Sequence, residues 1–331
     1  MKVAIIVTKA GQYNTPLFKN ISDRKDLDLT VFFCSSDGLK SSYDKDYRRE
    51  IKWSNIELEG YESYFLNNYG SIFWTNFFLN PGIIFHLITK KFDVVVIHGY
   101  SYPTAWLAIL SAVVAQSRIV FRGETYPDEK RINIRLIVKK FLLKHIFFRF
   151  VDAFLPIGQK SRQFYLDYSV SEEKMFLHPY AVNNSYFFEQ NTQLSERRDE
   201  IKKKLGLPFN SNVVLYLSKL KKRKRPLDAI KAFIKISKPN WYLLVVGDGE
   251  EMESMRSLSK EARYDNIRFE GFQNQEKVSI YYAVSDLFVL PSSHEPWGLV
   301  INEAFCFGLP VIATEGVASV YDLIIPTGCG R

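Results

Sequence analysis

Two glutamates near the end of the 331-residue chain, Glu295 and Glu303, have a spacing that could hold a hydroxylated ligand. Both follow a predicted strand at 287–290, and carboxylate oxygens accept hydrogen bonds from sugar hydroxyls. Gly298 lets the backbone approach a ligand closely, and the amides at a helix start near Gly298 and Leu299 can bind an anion with help from the helix dipole. These residues predict a site for a nucleotide sugar. A pair of solvated surface acids is the alternative, and it is the usual state of a single glutamate.

A basic segment follows another predicted strand, at 213–217. Six of the seven residues from Lys219 to Arg225 are lysine or arginine. A dense group of cations at the end of a strand can neutralise the charge of a departing diphosphate. A solvated basic loop or a nucleic-acid-binding patch would have the same composition, so the segment alone leaves those alternatives open.

Two glycine-containing turns also follow predicted strands. The strand at 242–246 runs into Gly247-Asp248-Gly249, and the strand at 267–269 leads to Gly271-Phe272. The first turn lacks the final glycine of a GxGxxG dinucleotide fingerprint and is a weak signal by itself.

The elements that must position these residues are short apolar segments that alternate with longer amphipathic ones. The predicted strands are 3–7, 29–34, 94–98, 119–121 and 153–157 in the first half, and 213–217, 242–246, 267–269, 287–290 and 311–314 in the second. This alternation predicts an α/β protein with parallel sheets that bind ligands at the carboxyl ends of their strands. The polar segment 183–212, with a helix predicted at 191–204, favours a first lobe at 1–190 and a second at 191–331.

A further strand is predicted at 323–325, just before the chain ends at Arg331. Parallel sheets are normally covered by helices on both faces, so a helix is expected after this strand. We therefore expect the second lobe to be incomplete and the C-terminus to be truncated.

The segment around the two glutamates resembles the Glu-x7-Glu motif of the group 1 retaining glycosyltransferases. That family has the GT-B fold, in which two Rossmann-like lobes face each other across a cleft. The resemblance extends through the preceding strand and the Gly-Leu-Pro-Val-Ile-Ala turn that follows. It implies that Glu295 contacts the donor sugar, that Glu303 contacts the ribose, and that the backbone at Gly298 and Leu299 holds the donor phosphates.

The other segments are consistent with this resemblance. The family's pair of cations corresponds to Lys219 and Lys224, although Ser-Lys replaces the commoner Gly-Arg at the first position. Lysine supplies a point charge where arginine supplies a bidentate fork. Gly249 resembles the family's glycine turn beside the donor, and the backbone at Gly271 and Phe272 would lie against the nucleobase.

The candidates in the first lobe also lie at strand ends. The segment 8–17 resembles the family's loop that faces the donor phosphates, and Gly11 is its candidate residue nearest the cleft. An ordinary strand-to-helix turn has the same composition. Arg122 and Glu124 lie where many relatives carry a histidine, and they are candidate acceptor or donor contacts or an internal ion pair. His98 is a third acceptor-side candidate, and a structural role is at least as common for such a histidine. No catalytic base is assigned.

Composition limits the partners and the compartment. The 44 lysines and arginines against 36 acidic residues give a net charge of +8, which favours an anionic partner. Three scattered cysteines form neither a disulfide framework nor a zinc cluster and suit a reducing, cytoplasmic location. The first apolar run is too short for a signal peptide, and the uncharged stretch 63–89 is too polar for a spanning helix.

Two segments of the first lobe could face a membrane. Residues 130–150 interleave basic and large apolar side chains, as in a helix that lies on the inner, anionic face of a bilayer. The aromatic segment 61–88 could line a site for a lipid-linked acceptor. Helices packed on a sheet are also apolar on one face, and we favour a core position for both segments over a peripheral membrane role.

These patterns predict an enzyme that transfers a sugar from a nucleotide-diphosphate sugar to an acceptor hydroxyl, in polysaccharide, glycolipid or other glycoconjugate synthesis. Glu295, Lys219 and Lys224 are expected at the reacting centre. No DxD-type metal site is evident, so neither a metal nor a cofactor is expected beyond the nucleotide sugar itself. A nucleotide-sugar epimerase of the same fold is an alternative. A basic nucleic-acid-binding protein is less favoured because it leaves the glutamate pair unexplained.

Overall fold

The chain forms two compact units, each built on its own parallel sheet. The computed structural model describes residues 1–37, 39, 42–44, 49–51, 56–72, 77–127, 134–236 and 238–330. The first unit comprises Met1–Ser42 and Asn55–Pro179, and the second comprises Tyr43–Ser54 and Tyr180–Arg331.

The first unit contains a six-stranded sheet with the order β5-β2-β1-β6-β7-β8. Its strands are β1 (Lys2–Lys9), β2 (Asp28–Ser35), β5 (Glu62–Phe65), β6 (Val94–His98), β7 (Arg118–Arg122) and β8 (Ala153–Leu155). A separate two-stranded sheet, which lies almost entirely in the Tyr43–Ser54 segment of the second unit, pairs β3 (Ser42–Asp44) with β4 (Arg49–Ile51). All the described neighbours in the large sheet pair in parallel. Most residues of the central strands are buried, as expected for a sheet that is covered on both faces.

Helices cover the two faces of this sheet unequally. The helices of the unit are α1 (Thr15–Ser22), α2 (Gly82–Lys90), α3 (Pro103–Val114), α4 (Ile134–Leu142) and α5 (Gln159–Asp167), and a π-helical segment follows α4 at Leu143–Phe147. Side chains from α2, α3, the π segment and α5 form one large core with one face of the sheet. A smaller core on the other face includes Phe18 of α1.

The second unit contains a five-stranded parallel sheet with the order β11-β10-β9-β12-β13. Its strands are β9 (Asn212–Leu217), β10 (Trp241–Val246), β11 (Ile267–Gly271), β12 (Leu287–Leu290) and β13 (Val311–Ala313). Its helices are α6 (Asn184–Ser195), α7 (Arg198–Lys204), α8 (Pro226–Ile236), α9 (Met252–Glu261), α10 (Gln275–Val284) and α11 (Leu299–Cys306).

All ten strands that the sequence predicts within these two sheets are confirmed, with ends that differ by at most two residues. The prediction of a strand at 323–325 is wrong, because Val320–Ile324 forms a π-helical turn. The Ile325 amide closes this turn by donating to the Val320 carbonyl at 2.9 Å. The helix predicted at 191–204 is two helices, α6 and α7. The predicted lobe boundary at 190 falls inside α6, whereas the two units divide after Pro179.

The core position favoured for 130–150 holds for only part of that segment. Residues 130–133 lie outside the described residues, and α4 has no buried residue, whereas the π segment buries Leu143 and Phe147. In the aromatic segment 61–88, Phe65 of the edge strand β5 stacks on Phe33 of β2 with ring centroids 4.9 Å apart. This part of the segment therefore packs within the first unit. Residues 73–76 of that segment are outside the description. In the described part of the chain, no helix is both long and apolar enough to cross a bilayer.

Candidate active site

The candidate residues of the second unit lie in turns that follow β9, β10, β11 and β12, or in helix α11 after the last of these turns. Because these strands are parallel, their carboxyl ends meet at one edge of the sheet. The sheet order also places β9 between β10 and β12, so the basic turn after β9 lies between the glycine turn and the glutamate-bearing loop. The fold therefore gathers segments that are far apart in sequence.

The basic turn is anchored on the glycine turn beside it. The Leu220 amide donates to the Asp248 carbonyl at 2.9 Å, and the Glu251 amide donates to the Leu220 carbonyl at 3.0 Å. Gly249 has a φ of 150°, and a Cβ there would lie 2.7 Å from the Leu220 carbonyl oxygen. Glycine at this position thus lets the two turns pack closely, independently of any ligand.

Lys224 and Glu295, 71 residues apart in sequence, form an ion pair. The Lys224 Nζ contacts Glu295 Oε2, and the guanidinium of Arg223 lies 3.6 Å from the same oxygen. The side chains of Lys224 and Glu295 are only 11% and 13% exposed, so Glu295 is not a solvated surface acid. Burial and the charges of Arg223, Lys219 and Lys221 lower the pKa of Lys224 to about 7, which the carboxylate contact opposes.

Backbone hydrogen bonds fix the loop that carries Glu295. The Ser293 amide donates to the Arg223 carbonyl at 2.8 Å, and the Arg223 guanidinium donates to the His294 carbonyl at 3.0 Å. The Glu295 amide donates to the Gly316 carbonyl at 2.8 Å. A Cβ at Gly316 would lie 2.4 Å from the Ser293 carbonyl oxygen, so only glycine fits there. Sequence reasoning singled out neither Arg223 nor Gly316.

The start of α11 has the geometry of an anion site. Gly298, the residue before the helix, has a φ of 96°, a conformation that favours glycine. Its carbonyl accepts from the Ile301 amide at 2.9 Å, while no hydrogen bond among the described residues uses the amides of Gly298 or Leu299. Amides at a helix start together with the helix dipole attract negative charge.

Glu303 lies inside α11 and is only 2% exposed. The Tyr282 hydroxyl donates to Glu303 Oε2 at 2.8 Å. Tyr282, on α10, is fully buried and stacks on Phe307 with ring centroids 5.4 Å apart, so its hydroxyl is held in place. Glu303 is therefore an oriented, buried carboxylate and not a surface acid. Tyr282 was missed because no local motif connects α10 to the Glu-x7-Glu segment.

Gly271 ends β11 and Phe272 follows it, at the same edge of the sheet. The Gly271 carbonyl accepts from the Gly247 amide at 2.8 Å, which ties the turns after β10 and β11 together. Gly271 has a φ of 67°, and a Cβ there would meet open space. Both residues are partly exposed, so their backbone is accessible from this edge.

The remaining candidates belong to the first unit, at the carboxyl edge of its sheet. The Gly11 amide already donates to Asn14 Oδ1 at 2.8 Å within its turn. His98 and Arg122 are neighbours across β6 and β7. Arg122 is 6% exposed, whereas Glu124 is exposed.

His178, which sequence reasoning missed, joins this group. The Arg122 Nε donates to His178 Nδ1 at 3.3 Å. Burial and the charge of Arg122 lower the pKa of His178, and burial together with the charges of Arg122 and His178 lowers that of His98 well below the ordinary range. Both imidazoles are therefore neutral hydrogen-bonding groups near neutral pH. His178 lies beyond β8, far from Arg122 in sequence, so only the folded chain reveals the contact.

The comparisons with known proteins agree with this geometry. Residues 197–331 match the family described as glycosyl transferases group 1. N-acetyl-alpha-D-glucosaminyl L-malate synthase of Bacillus anthracis is 33% identical over 131 residues, which are 39% of this chain and 34% of that protein. Alpha-monoglucosyldiacylglycerol synthase of Acholeplasma laidlawii is 28% identical over 155 residues, 45% of this chain and 38% of that protein. The chain thus spans little more than a third of either relative.

A solved structure covers much more of the chain. HepE of Anabaena, in complex with UDP and glucose, superposes with a TM-score of 0.69 at 17% identity over 97% of this chain and 82% of that one. Two Rossmann-like units in this order form the GT-B fold, as the sequence predicts. The second unit is similar to the group 1 glycosyltransferases over residues 197–331.

Proposed function

We propose that this protein transfers a sugar from a nucleoside-diphosphate sugar to an acceptor hydroxyl, with retention of configuration at the anomeric carbon. The observation that carries the proposal is the arrangement at one sheet edge of the second unit. There the Lys224–Glu295 pair, the start of α11 and the buried Glu303 come from segments that the fold brings together. In this proposal Lys224 and the start of α11 bind the phosphates, Glu295 binds the sugar, and Glu303 binds the ribose.

The diphosphate would bind at the start of α11, near Lys219 and Lys224. Bond cleavage leaves an additional negative charge on the diphosphate, and preorganised cations and amides stabilise that charge most at the moment it forms. In this proposal the charge is balanced by the chain's own groups without a metal ion. When Lys224 turns to the phosphate, Glu295 is released to accept hydrogen bonds from the sugar hydroxyls.

The nucleoside would extend from the phosphates towards Glu303. A buried carboxylate held by Tyr282 can accept hydrogen bonds from the two hydroxyls of a ribose. The backbone at Gly271 and Phe272 would lie beside the base. Retention is proposed because the Glu295–Glu303 segment resembles the Glu-x7-Glu motif of retaining enzymes.

The alternatives are less well supported. A nucleic-acid-binding surface would leave unexplained the ion pair of Lys224 with Glu295 and the buried carboxylate of Glu303. An epimerase would share the donor site but would need no acceptor, so the two enzymes differ in whether the donor sugar isomerises when no acceptor is present.

We further propose that the acceptor belongs to a glycolipid or polysaccharide and that the enzyme acts in the cytoplasm. One relative is named as a synthase of a glycosylated diacylglycerol, and another as a lipopolysaccharide core glycosyltransferase. The three cysteines are free, which suits a reducing compartment. Arg122, His98 and His178, with Glu124 nearby in sequence, are the groups of the first unit that we assign to the acceptor.

Calorimetry with UDP, GDP and ADP followed by turnover of the matching nucleotide sugars tests the proposal. We expect one nucleotide to bind and the product to keep the donor's anomeric configuration by NMR, with or without EDTA. Lys224→Ala should reduce transfer at least about a hundredfold, as loss of a preorganised donor does at other sites that stabilise developing charge. The matched control is Lys231→Ala, at an exposed lysine of α8.

Two results would contradict the proposal. Full activity of Lys224→Ala would remove this lysine from the leaving-group site. Interconversion of the donor sugar without an acceptor would favour the epimerase.

A further inference from the structure

We propose that α2, α3 and α4 of the first unit form a surface that docks on an anionic lipid bilayer. Helices α2 and α3 and the π segment that continues α4 pack in one core on one face of the first sheet. Ile83 and Leu87 of α2 and Ala108 of α3 are buried in this core, and Trp106 of α3 contacts Phe147 of the π segment with ring centroids 4.8 Å apart. The layer is therefore continuous from α2 to the π segment, and α4 leads directly into it.

The outward sides of these helices are apolar as well. Phe85 on α2 is 68% exposed, Val114 on α3 is 69% exposed, and Ile134 on α4 is 77% exposed. Neighbouring apolar residues on the same helices, such as Ile88 and Leu110, are also exposed. Single exposed apolar residues are ordinary, but exposed apolar residues grouped on each of three helices indicate an interaction surface.

The apolar face of α4 is exposed. Ile134, Ile137, Val138 and Phe141 follow the i, i+3, i+4, i+7 spacing of one helical face, and all four are exposed. The apolar stripe of α4 therefore points away from the core that α2 and α3 help to form. An amphipathic helix that packed on the sheet would have the reverse orientation.

The basic residues of these segments favour an anionic partner. Segments 82–91, 103–117 and 134–150 together contain seven lysines and arginines and no aspartate or glutamate, although the chain as a whole has 36 acidic residues. Lys90 pairs with Glu62, but five of the seven lie in the segment 134–150. On a helical projection, Arg135 and Lys140 fall on opposite flanks of the apolar stripe of α4. Apolar side chains flanked by cations suit the boundary between anionic headgroups and acyl chains.

This inference does not depend on the proposed transfer reaction, because docking requires neither donor nor acceptor. It does give a physical reason for an acceptor that is lipid-linked, since a docked first unit would hold its strand-end residues close to a membrane-bound substrate.

Co-sedimentation of the full chain with vesicles tests the proposal. The vesicles are phosphatidylcholine alone or a mixture of phosphatidylcholine with phosphatidylglycerol. We expect binding to the mixture, and weaker binding as salt is raised. Each basic residue near such a surface contributes roughly a fivefold factor, so changing Arg135, Lys140 and Lys144 together to glutamine should lower partitioning by about a hundredfold. Ile137→Ser with Phe141→Ser should lower it by at least about tenfold at constant charge.

The matched control changes three exposed lysines of the second unit, Lys203, Lys235 and Lys260, to glutamine. It should leave partitioning almost unchanged, and all variants should keep their nucleotide binding. Equal vesicle binding by the two triple variants would overturn the proposal. So would the absence of vesicle binding together with a concentration-dependent dimer that Ile137→Ser with Phe141→Ser abolishes, because the surface would then bind a second copy of the chain.

Discussion

Recognition of the ribose by Glu303 can be tested by changing the protein and the ligand together. Glu303→Gln keeps the size of the side chain and an oxygen that can accept from the Tyr282 hydroxyl, now 2.8 Å from the carboxylate. The ligand counterpart is the 2′,3′-dideoxy form of whichever nucleoside diphosphate binds. If the carboxylate accepts from the ribose hydroxyls, the two changes remove the same interaction and their effects will not add.

The expected size follows from the burial of the carboxylate. A hydrogen bond to a charged group contributes about 1.5–3 kcal/mol, and Glu303 is nearly shielded from water at 2% exposure. The wild type should therefore bind the dideoxy ligand about 10- to 100-fold more weakly than the parent nucleotide. In Glu303→Gln the hydrogen bonds are neutral, at about 0.5–1.5 kcal/mol, so this preference should shrink to about 2- to 10-fold.

Titration calorimetry of the four protein–ligand pairs gives the result directly. Glu253→Gln is the control, because Glu253 is an exposed glutamate on α9 and should keep the wild-type preference. An equal preference for the ribose in Glu303→Gln and the wild type would refute the assignment, and Glu303 would then be a structural carboxylate that holds α10 against α11.

Two further predictions concern the neighbours of these glutamates. Tyr282→Phe removes the hydroxyl that donates to the buried Glu303, so the free energy of unfolding should fall by about 1–3 kcal/mol in urea titrations and nucleotide binding should weaken severalfold. An unchanged midpoint and affinity would contradict the contact. Burial and neighbouring cations lower the pKa of Lys224, Glu295 opposes this shift, and a bound diphosphate would raise the pKa. Binding at about pH 8 should therefore take up a fraction of a proton, measured by calorimetry in buffers of different ionisation enthalpy. Lys224→Met should take up none, and equal uptake would rule out the lysine.

The strands were predictable because they are buried on both faces and therefore read as continuous apolar runs. Edge strand β5 escaped prediction because it is short and half-exposed, with Glu62 paired to Lys90. The π-helical turn at Val320–Ile324 was mistaken in part for a strand, since periodicity cannot assign so short an apolar run. Length and burial thus decide which elements a sequence reveals.

The candidate site was predictable only where it follows a local motif. Glu295 and Glu303 share one strand–loop–helix segment, so their positions follow from their spacing. The contact of Glu295 with Lys224 joins residues 71 positions apart, and the contact of Glu303 with Tyr282 joins two different helices. No short-range pattern encodes such pairs, because they depend on the order of the strands within the sheet.

In the proposed reaction, the ion pair between Lys224 and Glu295 would also act as a selectivity filter. A free phosphate or another small polyanion that draws Lys224 away would leave a shielded carboxylate with only the more distant Arg223 guanidinium beside it, and a weakly paired charge in such a place is costly. A complete donor would give both residues a new partner at once. Its phosphate would pair with the Lys224 ammonium, and its sugar hydroxyls would donate to the Glu295 carboxylate. With the proposed donor site, the resting protein would therefore resist occupation by free anions and would favour a molecule that carries a phosphate and a sugar together.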